Sequence, residues 1–219
     1  MEGSTVERKR RFKDAAYAAV ARFGLALAHP RRLELLDLLA QRARDLASLS
    51  REIGVDSSLV AEDLRVLAEA GVVERESTAS DDRYRVAGEL VIEAFVALRA
   101  AALERSSGRQ VMEEHLGNRE SLDTFETSRL TGRLERGEVV LLDVRPKEEY
   151  DAGHIPGARS APLEAVDSLS DSLPKGVEVV AYCRGPFCTW ADAAVARLRR
   201  KGIPARHMAH GVHEWRRMT

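Results

Sequence analysis

The 219-residue sequence lacks a long hydrophobic run. No apolar stretch in it approaches the roughly 18–20 residues that a membrane-spanning helix needs. The first 13 residues include the cluster Arg8-Lys9-Arg10-Arg11 and contain no apolar segment of the kind found in secretory signals. These absences predict a cytoplasmic protein with no membrane partner. The length allows one or two domains, and a hydrophobic content of 44% is enough to build a core.

An excess of charge of one sign is also absent. The net charge is −1 at pH 7, and it is spread over both halves of the chain. Residues 1–118 carry 18 Lys+Arg and 20 Asp+Glu, and residues 119–219 carry 16 and 15. Neither half is therefore a basic block that binds nucleic acid through bulk electrostatics. Any DNA binding must depend on where individual charges are placed.

Cysteine is scarce, and both cysteines, Cys183 and Cys188, lie within one six-residue stretch. In a reducing compartment, a pair of cysteines is more often reactive than joined in a structural disulfide. We therefore expect two reactive thiols. Their clustering is the first indication of function.

The first half of the sequence has the apolar periodicity of helices. Asp45 and Asp56 are suited to cap two short helices, which end near Gly54 and Gly71. Two such helices joined by a short turn are typical of a helix-turn-helix. Helices are predicted over residues 6–27, 31–41, 45–52, 56–70 and 89–105, and short strands over 72–75 and 83–86.

The second half alternates strands with helices after a polar stretch, residues 106–120, which we interpret as a linker. Continuous apolar strands that alternate with helices indicate a parallel sheet covered on both faces. Strands are predicted over residues 138–144, 177–182 and 205–208, and helices over 147–152, 189–201 and 212–217.

The cysteines lie in a loop between a predicted buried strand and a predicted helix. Backbone N–H groups and the positive end of the helix dipole point into such a loop. We therefore expect the pKa of Cys183 to be lowered, so that its thiolate is nucleophilic near neutral pH. Arg184 adds positive potential, and Gly185 and Pro186 allow the loop to curl tightly with its N–H groups inward.

Three motifs of the second half resemble those of rhodanese domains. They are Leu142-Asp143-Val144-Arg145 with Glu148-Glu149-Tyr150 and Gly153-His154-Ile155-Pro156-Gly157-Ala158, the cysteine loop, and Gly211-Val212-His213-Glu214-Trp215. The resemblance covers residues 121–219. It implies that Cys183 accepts a sulfane sulfur as a persulfide, from thiosulfate, polysulfide or another persulfide, and passes it to a thiol acceptor. It also implies a cradle and supporting residues around that cysteine: Arg184, Gly185, Pro186, Phe187, Cys188, Asp143 and Arg145.

The residues of the cysteine loop also allow other interpretations. A cysteine phosphatase or arsenate reductase needs an arginine six positions after the cysteine to bind a tetrahedral oxyanion. Thr189 occupies that position, which disfavours anion hydrolysis. Cys188 either resolves a persulfide on Cys183 by forming a disulfide or packs as a small hydrophobe at the helix start, and we prefer packing.

The charged and histidine residues near the loop also have structural alternatives. Asp143 and Arg145 equally fit a structural ion pair with Glu148 or Glu149. His154 and His210 do not have the ligand spacing that is typical of zinc. The sequence therefore predicts no metal site and no cofactor.

Two segments of the first half resemble the ArsR family of winged-helix repressors. They are Ala28-His29-Pro30-Arg31-Arg32-Leu33-Glu34-Leu35-Leu36 and Leu64-Arg65-Val66-Leu67-Ala68-Glu69-Ala70-Gly71-Val72-Val73. The resemblance covers residues 5–100. It implies a homodimer formed through the first and last helices, with helix 56–70 in the major groove of a double-stranded DNA operator. It implies DNA contacts from this helix and from the wing, by Ser57, Ser58, Arg65, Arg83 and Arg85.

Two features depart from that family. Residues 44–47 contain no cysteine where ArsR metal sensors carry one, and no cysteine precedes Cys183, so metal sensing there is predicted to be lost. Glu62 and Asp63 stand on the predicted recognition helix, where carboxylates repel phosphates. A glutamate can, however, accept a hydrogen bond from cytosine N4.

The sequence as a whole predicts two domains. A mainly-α winged helix-turn-helix covers residues 1–105, a linker 106–120, and an α/β rhodanese domain with a parallel sheet 121–219. We prefer a homodimeric DNA-binding regulator whose operator affinity changes when Cys183 carries sulfur. The alternative is a sulfurtransferase that uses the first half only to dimerise.

Overall fold

A computed structural model of the chain describes residues 2–77, 82–105, 107–116, 121–122 and 129–218. The chain divides into two compact units, Met1–Phe95 and Val96–Thr219. The division falls inside the helix Glu89–Glu104 rather than in the predicted linker. Within that predicted linker, residues 107–116 form a further helix.

The first unit contains a run of helices and a small antiparallel sheet. The helices predicted from apolar periodicity are confirmed, with ends that differ by a few residues. The elements are α1 (Glu2–Leu27), α2 (Pro30–Gln41), β1 (Arg44–Asp45), α3 (Leu46–Ile53), α4 (Ser57–Glu69), β2 (Val73–Ser77), β3 (Asp82–Val86) and α5 (Glu89–Glu104).

Local capping fixes the helix-turn-helix formed by α3 and α4. The Asp45 carboxylate accepts a hydrogen bond from the Ser48 backbone N–H at 2.7 Å, and this bond holds the pKa of Asp45 below its usual value. Gly54 ends α3 in the left-handed region, at φ +73°, which glycine adopts at little cost. Asp56 caps α4 through the Ser58 N–H at 2.8 Å. These caps confirm the predicted bounds of both helices.

The sheet of the first unit has the order β1-β3-β2. β2 and β3 form an antiparallel hairpin in which Val73 lies opposite Val86. β1, which the sequence analysis did not predict, adds a short third strand through the pairing of Arg44 with Tyr84. A polar tip is predicted between β2 and β3 over residues 77–82, and most of it, residues 78–81, lies outside the described residues.

The apolar residues of α1 lie mainly on the surface of the single chain. Val6, Phe12, Tyr17, Val20 and Leu25 are each between 68% and 72% exposed. The last residues of α1 are buried, so the helix joins the core only at its carboxyl end. These large apolar side chains of α1 are therefore largely uncovered within one chain.

The second unit is an α/β fold around a parallel sheet, as predicted. Its elements after α5 are α6 (Ser107–Leu116), β4 (Ser121–Leu122), α7 (Leu130–Glu135), β5 (Val139–Asp143), α8 (Lys147–Ala152), β6 (Arg159–Ser160), α9 (Val166–Leu169) with a 3₁₀ turn on each side, β7 (Glu178–Tyr182), α10 (Trp190–Arg200), β8 (Ala205–Met208) and α11 (Val212–Met218).

The strand order of this sheet is β4-β8-β7-β5-β6, and the pairings are parallel. β7 is the central strand, and both faces of the sheet are covered by apolar clusters. Burial on both faces explains why β5 and β7 are apolar except at one end of each, at Asp143 and Glu178. The carboxyl end of β7 therefore lies in the middle of the sheet edge, where a loop is flanked by its neighbours.

The described residues contain neither a membrane-spanning helix nor a cluster of metal ligands. Within the part of the chain that the structure describes, no helix is both long and apolar enough to cross a membrane. In the same residues, no group of three or more His, Cys, Asp or Glu side chains is arranged to hold a metal ion.

Candidate active site and nucleic-acid interface

The cysteine loop begins at the carboxyl end of the central strand. β7 ends at Tyr182, the residue before Cys183, and α10 begins at Trp190. The Cys183 side chain is buried, with 2% of the residue exposed, whereas Phe187 is 54% exposed. Position and burial agree with the strand–loop–helix arrangement that the sequence predicted for this cysteine.

The two cysteines are joined by a disulfide, and their Cα atoms are 6.1 Å apart. The expectation of two unpaired thiols is therefore not met in the structure. The loop brings the sulfur atoms together because it doubles back: the Cys188 N–H donates to the Gly185 carbonyl at 3.2 Å. Gly185 has φ +152°, a conformation that side chains rarely allow. Because a disulfide sulfur does not titrate, the lowered pKa of Cys183 stays a prediction for the reduced protein.

Arg184 does not supply free positive charge to the loop, contrary to the sequence-based expectation. Its guanidinium binds the Glu149 carboxylate at 2.6–3.1 Å, and both side chains are buried. The guanidinium also stacks on Trp190, with 4.7 Å to the ring centroid. The charge is thus compensated by Glu149, for which the sequence equally allowed an ion pair with Asp143 or Arg145. Arg184 ties the loop to α8.

Asp143 and Arg145 form a buried ion pair with each other beneath the loop. Arg145 Nε and Nη2 donate to Asp143 at 2.9 and 2.6 Å, and Nη2 also reaches the Gly153 carbonyl at 2.7 Å. The Tyr182 hydroxyl donates to Asp143 at 2.6 Å and accepts from the Ile155 N–H at 3.1 Å. Burial raises the pKa of Tyr182 well above its usual value, so the phenol keeps the proton that it donates. This network fixes the residue that immediately precedes Cys183.

Gly211 packs directly on the backbone of the loop. A Cβ atom added at this position would lie 2.3 Å from the Arg184 carbonyl oxygen and 3.0 Å from that of Cys183. The Gly211 N–H donates to Glu214 at 2.9 Å, and Glu214 forms an ion pair with Arg99, a residue of the second unit. The carboxyl-terminal motif therefore supports the loop through close backbone contact.

Helix α4, which is predicted to be the recognition helix, exposes its residues that are predicted to contact DNA. Ser57, Ser58 and Arg65 are exposed, and so is Glu62. Asp63 is buried and forms an ion pair with Arg31 of α2. The possibility that Asp63 repels phosphates is therefore not supported, because its carboxylate is buried against Arg31. Glu62 remains on the exposed surface.

The arginines of α4 and of the β2–β3 hairpin, which is the predicted wing, have carboxylate neighbours. Arg65 pairs with Glu69 one turn later in α4. Arg85 on β3 pairs with Glu74 and Glu76 on β2. Arg83 is also exposed on β3. The arginines predicted to contact DNA thus lie on the surface of the unit, and neighbouring carboxylates compensate part of their positive charge.

Comparison with known proteins gives matches in both halves of the chain. The model of the bacterial regulatory protein arsR family matches residues 29–75, and that of the rhodanese-like domain matches residues 126–218. HTH-type transcriptional regulator Rv0324 of Mycobacterium tuberculosis is 39% identical over 206 residues, covering 93% of this chain and 90% of the relative. The chain belongs to the ArsR-family transcriptional regulators that carry a C-terminal rhodanese-like domain.

Further similarities of this ArsR–rhodanese regulator concern its first half. The uncharacterized HTH-type transcriptional regulator Rv0081 of M. tuberculosis is 33% identical over 101 residues, covering 46% of this chain and 89% of the relative. Among solved structures, the homodimeric winged helix-turn-helix DNA-binding domain of Mb0332 from Mycobacterium bovis is 36% identical. It covers 43% of this chain and 88% of that chain, with a TM-score of 0.42.

Sequence reasoning about the ArsR–rhodanese regulator missed the role of two residues near the cysteine loop. Glu149 is fully buried, yet its sequence neighbourhood is charged, so no apolar pattern marked it as an interior residue. Tyr182 was interpreted as part of an apolar strand, although its hydroxyl joins Asp143 to Ile155. The available signal was the hydroxyl of Tyr182 at the end of a buried strand, because buried tyrosine hydroxyls usually have hydrogen-bond partners.

Proposed function

We propose that this regulator binds a double-stranded DNA operator as a homodimer, and that Cys183 takes up sulfane sulfur as a persulfide that changes operator affinity. The observation that carries the proposal is the position of Cys183, buried at the carboxyl end of the central strand and followed by α10. A loop between a strand end and a helix start can stabilise a thiolate through its N–H groups and the helix dipole. Operator binding implies that the protein acts in the cytoplasm.

Uptake of sulfur follows ordinary thiolate chemistry. A small thiol first reduces the Cys183–Cys188 disulfide. The Cys183 thiolate then attacks the outer sulfur of thiosulfate, the sulfur–sulfur bond of thiosulfate breaks, and sulfite leaves with the bonding electrons. Polysulfides and persulfides donate a sulfur atom in the same way, and a thiol acceptor later removes it. Asp143 and Arg145 support the loop through Tyr182 and take no direct part in this transfer.

The DNA interface is proposed on the exposed face of α4 and on the wing. The hydroxyl of Ser57, at the start of α4, can donate to a phosphate oxygen. The hydroxyl of Ser58 donates to the Asp56 carboxylate at 2.7 Å and must leave that partner to reach a phosphate. Arg65, Arg83 and Arg85 provide positive charge on the same elements. Because Arg65 and Arg85 have carboxylate partners, phosphates must compete with those partners for the guanidinium groups.

The homodimer is supported by the exposed apolar residues of α1. A helix that leaves several large apolar side chains in water gains free energy when a second copy covers them, at about 25 cal/mol per Å² of apolar surface. Leu90 at the start of α5 adds to the uncovered surface, with 77% of the residue exposed. We therefore infer that α1 and α5 form the dimer contact, as the resemblance to ArsR proteins implies.

A DNA-binding titration at stated salt concentrations tests this function. The DNA is a duplex selected by binding from a random library, and the protein is used reduced, as the disulfide and after thiosulfate or polysulfide treatment. We expect selection of a defined sequence and an affinity that differs between the reduced protein and the protein treated with thiosulfate or polysulfide. Arg65→Ala and Arg85→Ala should weaken binding of all duplexes and reduce its salt dependence. No selection at any salt concentration would overturn the DNA-binding part.

The alternative is a sulfurtransferase whose first half only dimerises. Compensation of Arg65 and Arg85 by neighbouring carboxylates favours it, since compensated arginines attract phosphate less strongly. The same titration separates the two functions. Sulfur uptake at Cys183 without sequence selection would support the alternative.

A further inference from the structure

We propose that Cys188 is a second catalytic cysteine, which attacks the persulfide on Cys183, releases its outer sulfur as sulfide and leaves the disulfide present in the structure. This inference rests on the proposed sulfur uptake at Cys183. It assigns a reaction to Cys188, for which packing at the helix start was preferred from the sequence. The reaction class is the reduction of sulfane sulfur to sulfide, with the two cysteines as the electron donors.

The geometry of the loop is that of the reaction product. The Cα atoms of the two cysteines are 6.1 Å apart, within the usual range for a disulfide. The turn is closed by the Cys188 N–H bond to the Gly185 carbonyl and by the positive φ of Gly185, both of which belong to the backbone. In the persulfide, Cys183 Sγ is still the atom bonded to Cβ. Cys188 can therefore reach that sulfur in this backbone conformation.

The step balances in atoms and electrons. The Cys188 thiolate attacks the inner sulfur of Cys183–S–SH, and a new sulfur–sulfur bond forms between the two cysteines. The bond between the inner and outer sulfur breaks, and the outer sulfur leaves as HS⁻ with the bonding electrons. The sulfane sulfur is reduced to sulfide while two cysteine thiols are oxidised to a disulfide. A small thiol or dithiol then reduces the disulfide and restores the starting state.

The surroundings of Cys188 are compatible with attack. Cys188 is partly buried and lies two residues before the first residue of α10, at the positive end of that helix. Its apolar neighbours belong to the core cluster that also contains Cys183. A cysteine that served only as packing would gain nothing from lying within bonding distance of the sulfur-carrying residue.

A single-turnover experiment with thiosulfate tests the inference, because each step releases a different product. The full-length protein is reduced, freed of reductant without air and mixed with thiosulfate. Sulfite reports sulfur uptake at Cys183, and sulfide reports attack by Cys188. Wild-type protein should release both in equal amounts and end as the disulfide by mass spectrometry. Cys188→Ser and Cys188→Ala should release sulfite, retain one extra sulfur on the Cys183 peptide and release sulfide only after a thiol is added.

The neighbouring variant Thr189→Ala is the matched control, since it alters the same end of the loop without removing a sulfur, and it should release both products. Sulfide release by both Cys188 variants at the wild-type rate, without added thiol, would overturn the role of Cys188 and leave sulfur uptake intact. Loss of sulfite release in both variants would also overturn it, because Cys188 would then act before the persulfide forms. If wild-type protein takes up no sulfur from thiosulfate or from polysulfide, the proposed function fails as well.

Discussion

The buried ion pair between Glu149 and Arg184 gives the sharpest prediction about the candidate site. Glu149→Gln removes the carboxylate charge and leaves Arg184 buried without its counter-charge. Breaking a buried ion pair by removing one partner typically costs about 3–5 kcal/mol. Glutamine keeps one oxygen that can accept from Arg184, and Trp190 still covers the guanidinium, so we expect a loss of about 3 kcal/mol at the low end of that range.

Urea unfolding followed by tryptophan fluorescence measures this loss. Both tryptophans of the chain, Trp190 and Trp215, lie in the second unit, so the signal reports that unit alone. With a urea dependence of about 1–3 kcal/mol per molar, the midpoint should fall by about 1–3 M. The control is Asp151→Asn, which breaks the exposed Lys147–Asp151 pair on the same helix. That variant should lose about 0.3–0.5 kcal/mol, as exposed pairs one helical turn apart usually do.

Equal midpoints for Glu149→Gln and Asp151→Asn would refute the reasoning, because the burial of the Glu149–Arg184 pair would then have no consequence. A second variant distinguishes loss of charge balance from loss of packing. Adding Arg184→Met to Glu149→Gln removes both charges and should recover much of the lost stability, since a buried pair can often be replaced by apolar residues at little cost. No recovery would show that the hydrogen bonds, rather than the unpaired charge, determine the loss.

Two further predictions concern the recognition helix and the support of the loop. Asp63→Asn should destabilise the first unit by about 1–3 kcal/mol, because it leaves the Arg31 guanidinium without its carboxylate. Thermal unfolding followed by far-UV circular dichroism measures this loss. Glu62→Gln, at an exposed position of the same helix, should not lower the stability. Gly211→Ala should slow sulfite release from thiosulfate, because its Cβ would displace the carbonyl groups at Cys183 and Arg184. The rate is measured by assaying sulfite in samples that are quenched at successive times.

Each of these predictions has an outcome that contradicts it. If Asp63→Asn strengthens binding to all DNA sequences without changing the melt, its carboxylate faces phosphates rather than Arg31. If Gly211→Ala releases sulfite at the wild-type rate, the close backbone contact does not determine the shape of the loop. A drop in tryptophan-monitored stability of Gly211→Ala without a change in sulfite release would assign Gly211 a purely structural role.

Much of the fold is determined by local sequence. Apolar periodicity gives the helices, and the caps at Asp45 and Asp56 fix two of their starts through bonds spanning two or three residues. The parallel sheet follows from continuous apolar strands that alternate with helices. The placement of Cys183 between β7 and α10 follows from the same pattern. These features depend on neighbours in the chain, so the sequence by itself was sufficient to predict them.

Contacts formed only in the folded chain determine which charged side chains form ion pairs and which sulfur atoms form a disulfide. Arg184 and Glu149 are 35 positions apart in sequence, and Arg31 and Asp63 are 32 apart, so no local pattern identifies these partners. Asp63 lies in the buried stripe of α4 with Val60, Leu64 and Leu67. Its position in the helical periodicity could therefore have predicted that its side chain is buried.

The disulfide likewise depends on the three-dimensional conformation of the loop. A spacing of five residues allows Cys183 and Cys188 to meet or to remain apart. The backbone conformation at Gly185, the hydrogen bond that closes the turn and the close contact with Gly211 determine that they meet. Periodicity assigns residues to elements and faces. Contacts between distant elements then determine the charge, burial and pairing of each functional side chain, and these appear only when the chain is folded.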